Sequence, residues 1–428
     1  AYQAGVLVAL ERAGLTFAVG DGASGGTINL AMLLSGLTPA EMCDRWRTLR
    51  VSGFVGPPTL AWLLRGLPLP GLGSSDGIRR RVYPHLGIDA ARIRAARGMD
   101  GTFNVCDFAE KACVAVPHTD IDLDLLVAAV SLPVLSPAVV RGGRTYVDAV
   151  WVKDVNVTEA VRRGADELWL VWAIGNHGVY RDGALQQYVH MIEIAANAAL
   201  FAELADVAEL NANATRSPPI RLHVIRPRRP LPLDPDLLLG RIDAATLIAM
   251  GHRDACEYLA GPAAGSGGVE LGPAATRMED PRPGVGWRET LAGDVGGPLR
   301  VRLGWEVDDL EAFAADGAGT LVGDVSHPAI GERVLACGGE FTLAGGRWRA
   351  ELRLAGGRLE LVRDQRAWRT VEVRLCDAAG GELGHGRLAP TGLPAWARTH
   401  ARGVASMLAG ARALARFAGI VRGSGGPR

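Results

Sequence analysis

The sequence predicts an α/β layered sheet domain built around a nucleophile elbow, followed by a β-rich sandwich or barrel-like domain. Three observations carry this. Apolar strand-like runs alternate with helical periodicity as far as about residue 260. One strand-to-helix junction, Phe17 to Ala31, contains Gly22-Ala23-Ser24-Gly25-Gly26. Beyond residue 282 the pattern changes to short strands separated by turns that carry Gly or Asp.

The 428 residues exceed one ordinary domain, and 48% hydrophobic content supports a large core. The 46 basic and 46 acidic residues cancel. That balance offers no global field for nucleic acid or an acidic membrane. Six cysteines are scattered without a C-x-x-C pair. They read as reduced thiols in a cytoplasmic setting. No apolar run reaches the length of a membrane span.

In chain order, residues 1–13 read as a helix with Leu7 and Leu10 on its apolar face. Leu15 to Val19 reads as a buried strand leading into the elbow, and Thr27 to Leu34 as the helix after it. Thr38-Pro39-Ala40-Glu41 has the pattern of a capping box with proline at the first helical position. Residues 52–76 are apolar and loop-rich, fitting a covering loop or a lipid-entry lid equally well. Phe103-Asn104-Val105 and Ala112 to Val116 read as strands, and Leu125 to Val130 as helix. Gly142-Gly143 reads as a hairpin turn into Thr145 to Trp151. Thr158 is expected to cap a short helix. Glu167 to Trp172 and Ile220 to Ile225 read as strands, Gln186 to Asn213 and Ile242 to Leu259 as helices. The prolines from Pro227 to Pro235 form a stiff connector. The expected organisation is an α/β domain over 1–260, a Gly/Pro/Ala linker over 261–282, a β-rich accessory domain over 283–393, a helix over 394–421 and a disordered tail over 422–428. The accessory domain fits lipid or sterol binding inside a barrel, or a plain interaction role.

The elbow has a chemical logic. A serine in a strained strand-to-helix turn projects its hydroxyl, and small residues on either side let strand and helix approach. The helix N-terminus places N–H groups where an oxyanion forms. Taken alone, G-x-S-x-G is an unspecific pattern in a chain with 56 glycines, so its context decides.

Four stretches supply that context: Ala1 to Leu7, Gly22 to Gly26, Ala128-Ala129-Val130-Ser131-Leu132-Pro133 and Tyr146-Val147-Asp148-Ala149. Their order and spacing resemble the patatin-like phospholipase family over roughly residues 1–260. The resemblance implies a three-layer α/β/α sheet domain and a lipid acyl hydrolase of phospholipase A or esterase type. It casts Ser24 as nucleophile and Asp148 as general base of a Ser-Asp dyad, with an acyl-enzyme intermediate. Gly25 would give one backbone N–H to the oxyanion, between the motif glycines Gly22 and Gly26. Further donors are expected in a Gly-rich loop upstream of Ala1, so the chain as it stands is expected to be weakly active. No cofactor or metal is implied. The implied partner is a lipid or phospholipid, met in transient contact with a membrane surface, with no nucleic acid.

One departure is visible. The turn after the acid is Asp148-Ala149-Val150, where the family carries Asp-Gly-Gly or Asp-Gly-Ala. This keeps open a catalytically impaired lipid-binding or scaffold protein of the same fold. A His-dependent serine esterase is a second alternative. It would use His177 in its loop, since His190 and His223 read as packing or surface residues. Among other acids, Asp21 reads as a turn stabiliser and Asp154, beside Lys153, as an exposed loop residue. Asp120, Asp122 and Asp124, after His118, read as helix-capping acids. The Arg79-Arg80-Arg81 run reads as a solvated face.

Overall fold

The computed structural model describes residues 1–50, 75–213, 217–231, 243–265, 268–367, 369–392, 398–404 and 406–424. The apolar 52–74 stretch and Pro232 and Pro235 of the connector lie outside them. Helix α1 (Tyr2–Arg12) precedes β1 (Val19–Gly22), α2 (Gly25–Leu34) and α3 (Pro39–Thr48). The expected capping box on α3 is present. Glu41 N–H donates to Thr38 Oγ1 at 3.3 Å, and Thr38 N–H to the Glu41 carboxylate at 2.8 Å. The first strand lies later than the apolar run suggests. Val19–Gly22 form its ladder, whereas Leu15 and Phe17 pack against the core from the approach to it.

The sheet is mixed and curled. Strand β2 (Asp100–Asp107) pairs along one edge with antiparallel β3 (Ala112–Pro117). Along its other edge lie two strands in succession. Parallel β1 covers residues 100–103, and antiparallel β5 (Arg144–Asp148) covers 105–107. Between β3 and β5 come α4 (Leu123–Ala128) and β4 (Val139–Arg141), the latter pairing with β5 across the Gly142-Gly143 turn. The C-terminal ends of β1 and β5 therefore meet head to head, Gly22 opposite Phe103 and Asp148 opposite Val105. Two residue steps along β2, about 7 Å of strand with only Asn104 between, separate these positions.

After β5 come α5 (Val157–Arg162), β6 (Glu167–Val171), α6 (Ala184–Ala212), β7 (Arg221–Ile225) and α7 (Ala244–Ala260). Strands β6 and β7 pair in parallel. Alternate residues of β6 face opposite sides. Leu168 and Leu170 join the core under α6, while Trp169 and Val171 pack toward α1 and α7. Helices thus cover both faces, the layered α/β arrangement the sequence anticipates. Asn156, not Thr158, caps α5, with Glu159 N–H donating to Asn156 Oδ1 at 3.3 Å. Glu203 of α6 captures the Thr158 hydroxyl instead.

Helices α1 and α7 cross at van der Waals contact of their backbones. A Cβ on Gly5 would lie 1.9 Å from the Ile248 carbonyl oxygen, and one on Gly251 would lie 2.1 Å from that of Tyr2. Only glycine fits either position. The Tyr2 hydroxyl donates to Asp254 at 2.7 Å across the same crossing.

The second half is a barrel. Strands β8 (Gly284–Asp294), β9 (Pro298–Val307), β10 (Ala318–His327), β11 (Gly331–Ala344), β12 (Arg347–Leu354), β13 (Gly357–Asp364), β14 (Val371–Asp377) and β15 (Glu382–Pro390) form an antiparallel meander. It closes where β15 pairs with β8, Arg387 opposite Asp294 through Pro390 opposite Leu291. Inward and outward residues alternate along β12. The barrel interior is packed with side chains, as eight strands allow. Trp287 and Trp305 stack at 5.3 Å, and Phe341 and Trp348 meet them edge-on. A hollow lipid or sterol site inside the barrel is therefore not what these residues build.

The segment expected as one helix over 394–421 is two elements among its described residues. Strand β16 (His400–Arg402) adds to β8, and α8 (Met407–Gly423) follows Ser406, which caps it. Gly403 breaks the chain between them, at φ +65°, where a Cβ would lie 1.9 Å from the Arg282 carbonyl oxygen. Helix α8 extends into the expected tail, and Phe417 reaches Trp287 at 5.4 Å. Residues 425–428 lie outside the described set. No helix among the described residues is long and apolar enough to cross a membrane.

Candidate active site

The elbow forms because β1 must turn at once into α2. Ser24 takes φ +48°, ψ −121°, a strained conformation for a residue with a side chain. Gly22 permits the turn, since a Cβ there would lie 2.9 Å from the backbone of Gly26. Thr27 Oγ1 donates to the Gly22 carbonyl at 3.2 Å, and Asn29 Nδ2 to the Gly25 carbonyl at 3.1 Å. Among the described residues no acceptor takes the Gly25 N–H. It stands at the start of α2, where the helix dipole favours negative charge.

The Ala128–Pro133 stretch bridges the two halves of the site. Ser24 N–H donates to the Ala129 carbonyl at 3.1 Å, and Asp148 N–H to the Ser131 carbonyl at 3.0 Å. The Ser131 hydroxyl donates to the Val127 carbonyl at 2.8 Å. Both chain ends meeting on β2 are thereby pinned to one short segment.

Asp148 is fully buried. Its Oδ1 accepts from Val150 N–H at 2.9 Å and so caps the 3₁₀ turn Ala149–Trp151. Neither Ala149 nor Val150 has a positive φ. The right-handed turn accounts for alanine being accommodated where the resemblance leads one to expect glycine. The Ser24 hydroxyl lies close enough to Asp148 to help hold its pKa down, but Oδ2 has no partner in hydrogen-bond geometry among the described residues. Burial dominates and pushes Asp148 up to about 7, against the pull of Val150 N–H and the Ser24 hydroxyl. Tyr188 of α6 stands nearby, bonded to the Pro133 carbonyl at 2.7 Å and edge-on to Trp151.

Two further acids surround the site. Asp21 accepts from Thr102 Oγ1 at 2.6 Å, Asn104 Nδ2 at 2.8 Å and Asn156 N–H at 3.1 Å. This ties β1 to β2 and to the chain after Asp148, the stabilising role expected of it. Burial raises it to about 6 despite those bonds. Asp154 is not the exposed loop residue the sequence suggests. Its Oδ1 is enclosed without a partner among the described residues. Burial, then the charges of Asp148 and Asp21, push it up to about 8. Its neighbour Lys153 turns away to Glu203 at 2.7 Å. Periodicity could not reveal this, because the enclosure comes from elements distant in sequence.

The other candidates fall elsewhere. His177 lies 3.5 Å from Glu193, and among the described residues no bond joins it to Ser24 or Asp148. His190 pairs with the same glutamate, and His223 stacks on Trp169. Asp122 caps α4, accepting from Leu125 N–H at 2.9 Å, and Asp124 pairs with Arg79. A polar cavity of about 270 Å³ between Arg47, Asp243, Arg288 and Arg302 has no elbow residue in its lining.

A serine elbow on a layered mixed sheet, facing a buried carboxylate, defines an α/β domain of hydrolase type. The model of the patatin-like phospholipase family matches residues 1–161, and this part of the chain is patatin-like. The match reaches from α1 into α5, so it includes the elbow, the bridging segment and Asp148. No curated protein matches the chain. The family supports a lipid hydrolase of patatin type.

Proposed function

We propose that the protein hydrolyses acyl esters of lipids through Ser24 and Asp148. The observation that carries this is the placement of Ser24, in a strained elbow, against a buried carboxylate whose second oxygen has no partner. Ser24 Oγ attacks the ester carbonyl carbon as its proton passes to Asp148. The tetrahedral oxyanion draws on the Gly25 N–H at the start of α2. The intermediate collapses to an acyl-serine, and the leaving alcohol takes the proton from Asp148. Water then attacks the acyl-serine as Asp148 again accepts a proton, and collapse of the second tetrahedral intermediate releases the fatty acid while that proton returns to Ser24 Oγ. An unaided carboxylate is a weak base near neutrality. Burial brings Asp148 to about 7 and matches it to the task.

The test is a fluorophosphonate probe followed by mapping of the adduct. The expected result is labelling at Ser24 that Ser24→Ala removes. Labelling at another serine, or turnover of a phospholipid ester by folded Ser24→Ala at the parent rate, would sink the proposal.

A further inference from the structure

Away from the elbow, three metal-ligating side chains converge where α7 meets the barrel. His252 and Cys256 lie one helical turn apart on α7, so both project from the same face. Cys337 arrives from β11. There the register against β12 slips between Ala336 and Gly338, leaving Cys337 as the extra residue of a bulge. Bulges re-aim side chains, and this one accompanies a thiol set against α7. One donor atom from each of His252, Cys256 and Cys337 lies within 4.8 Å of the other two. His252 is fully buried, and the thiols are partly so.

We propose that His252, Cys256 and Cys337 bind one borderline-to-soft transition cation of the zinc type. Two sulfurs and an imidazole suit such a cation and suit calcium or magnesium poorly. The spacing is close to that of a bound cation. With Zn–S near ~2.3 Å and Zn–N near ~2.0 Å, the edges of a tetrahedral site are about 3.5–3.8 Å. Cys256 Sγ stands 4.0 Å from His252 Nε2, so the two side chains need close by only a few tenths of an ångström onto the cation. The imidazole is already oriented. Its Nδ1 lies 3.0 Å from the Ala336 carbonyl oxygen, which fixes the proton there and leaves the Nε2 lone pair as the donor. That carbonyl belongs to the residue before Cys337, so one bulge supplies both a ligand and the group that orients another.

Arg12 Nη1 now lies 3.4 Å from Nε2. Arg12 is exposed at the end of α1, and its guanidinium must swing aside when the cation enters. Each thiol that ligates releases its proton to solvent, and no redox change occurs. The cation would join α7 to β11, the patatin-like half to the barrel. This inference is independent of the assignment of Ser24 and Asp148.

The experiment uses the full chain, reduced and stripped with a chelator, then titrated with Cd²⁺ as a spectroscopic probe and with Zn²⁺ in competition. The expected result is one cation per chain, a cadmium–thiolate charge-transfer band, and a thermal midpoint raised by Zn²⁺. Cys256→Ser and Cys337→Ser should each weaken binding about tenfold or more, since each removes a direct ligand, while Cys376→Ser leaves it unchanged. Arg12→Ala should tighten binding. Cys337 lies at a bulge and is partly exposed, so its variant keeps the test valid if His252→Gln does not fold. Absence of the band, binding that survives in the double cysteine variant, looser binding in Arg12→Ala, or a Cys256–Cys337 disulfide formed in place of metal uptake would overturn the proposal.

Discussion

At the scale of single residues, the chemistry rests on environment more than on identity. Asp148 carries its charge reluctantly because it is buried, and burial brings its pKa to about 7. Under the proposed mechanism the base must be deprotonated to act, so turnover is expected to rise through about pH 7, falling roughly tenfold per unit below it. A rate independent of pH from 5 to 8, on an ester stable over that range, would contradict this. Asp148→Asn keeps the shape and removes the proposed base. A loss of about 10²–10⁴-fold in turnover is expected, checked by steady-state hydrolysis with circular dichroism to confirm folding. Asp154 makes a separate prediction. Asp21, Asp148 and Asp154 are all raised above their unfolded values, so the folded state binds more protons than the unfolded state. Their effect is most favourable below the unfolded pKa and is lost as pH rises through about 6 to 8. Asp154→Asn should flatten this decline, raising the thermal midpoint at pH 8 relative to pH 5 when compared with the parent.

At the scale of elements, close approach decides what the sequence tolerates. The α1–α7 crossing places Gly5 and Gly251 against opposing carbonyl oxygens. Gly5→Ala or Gly251→Ala should cost about 1–3 kcal/mol by overpacking, although alanine is the better helix former. Chemical denaturation of either variant checks the sign. The same principle operates at the elbow, where Gly22 lets β1 and α2 touch. Alternation and capping signals made much of this legible. The capping box of α3 and the Gly142-Gly143 hairpin lie where the residues put them. Nothing local marks β8 and β15 as strands, because their glycines mimic turns while the closed ladder holds them in extended form.

At the scale of the molecule, the two halves are joined by buried charge. Arg253 of α7 bonds Asp254 and Glu306, and Glu306 also accepts from Arg402 of β16 at 2.8 Å. Burial opposes the charge on Glu306, and the two guanidinium groups overcome it and hold its pKa down. Glu306→Ala would leave buried Arg253 and half-buried Arg402 without the carboxylate they share, at an expected cost of about 3 kcal/mol, since each keeps one acid, Asp254 and Asp308. Calorimetry should show a lower midpoint with both halves affected, since α7 belongs to one and β9 to the other. A midpoint within a degree of the parent would refute the role.

The sequence by itself determined the local events: the serine in its strand–turn–helix elbow, the order of the four patatin-like stretches, the change to a β-rich second half, and the caps of α3 and α4. These depend on residues within a few positions of one another. Only the tertiary structure decided what brings distant residues together. Strand β2 sets the ends of β1 and β5 face to face, and so places Asp148 opposite Ser24. Packing leaves Asp154 half-buried with its Oδ1 enclosed, and β-barrel closure fills its own interior with tryptophan. The junction of α7 with a bulge in β11 gathers His252, Cys256 and Cys337 from two halves of the chain. Burial and convergence are properties of packing, and no local pattern encodes them.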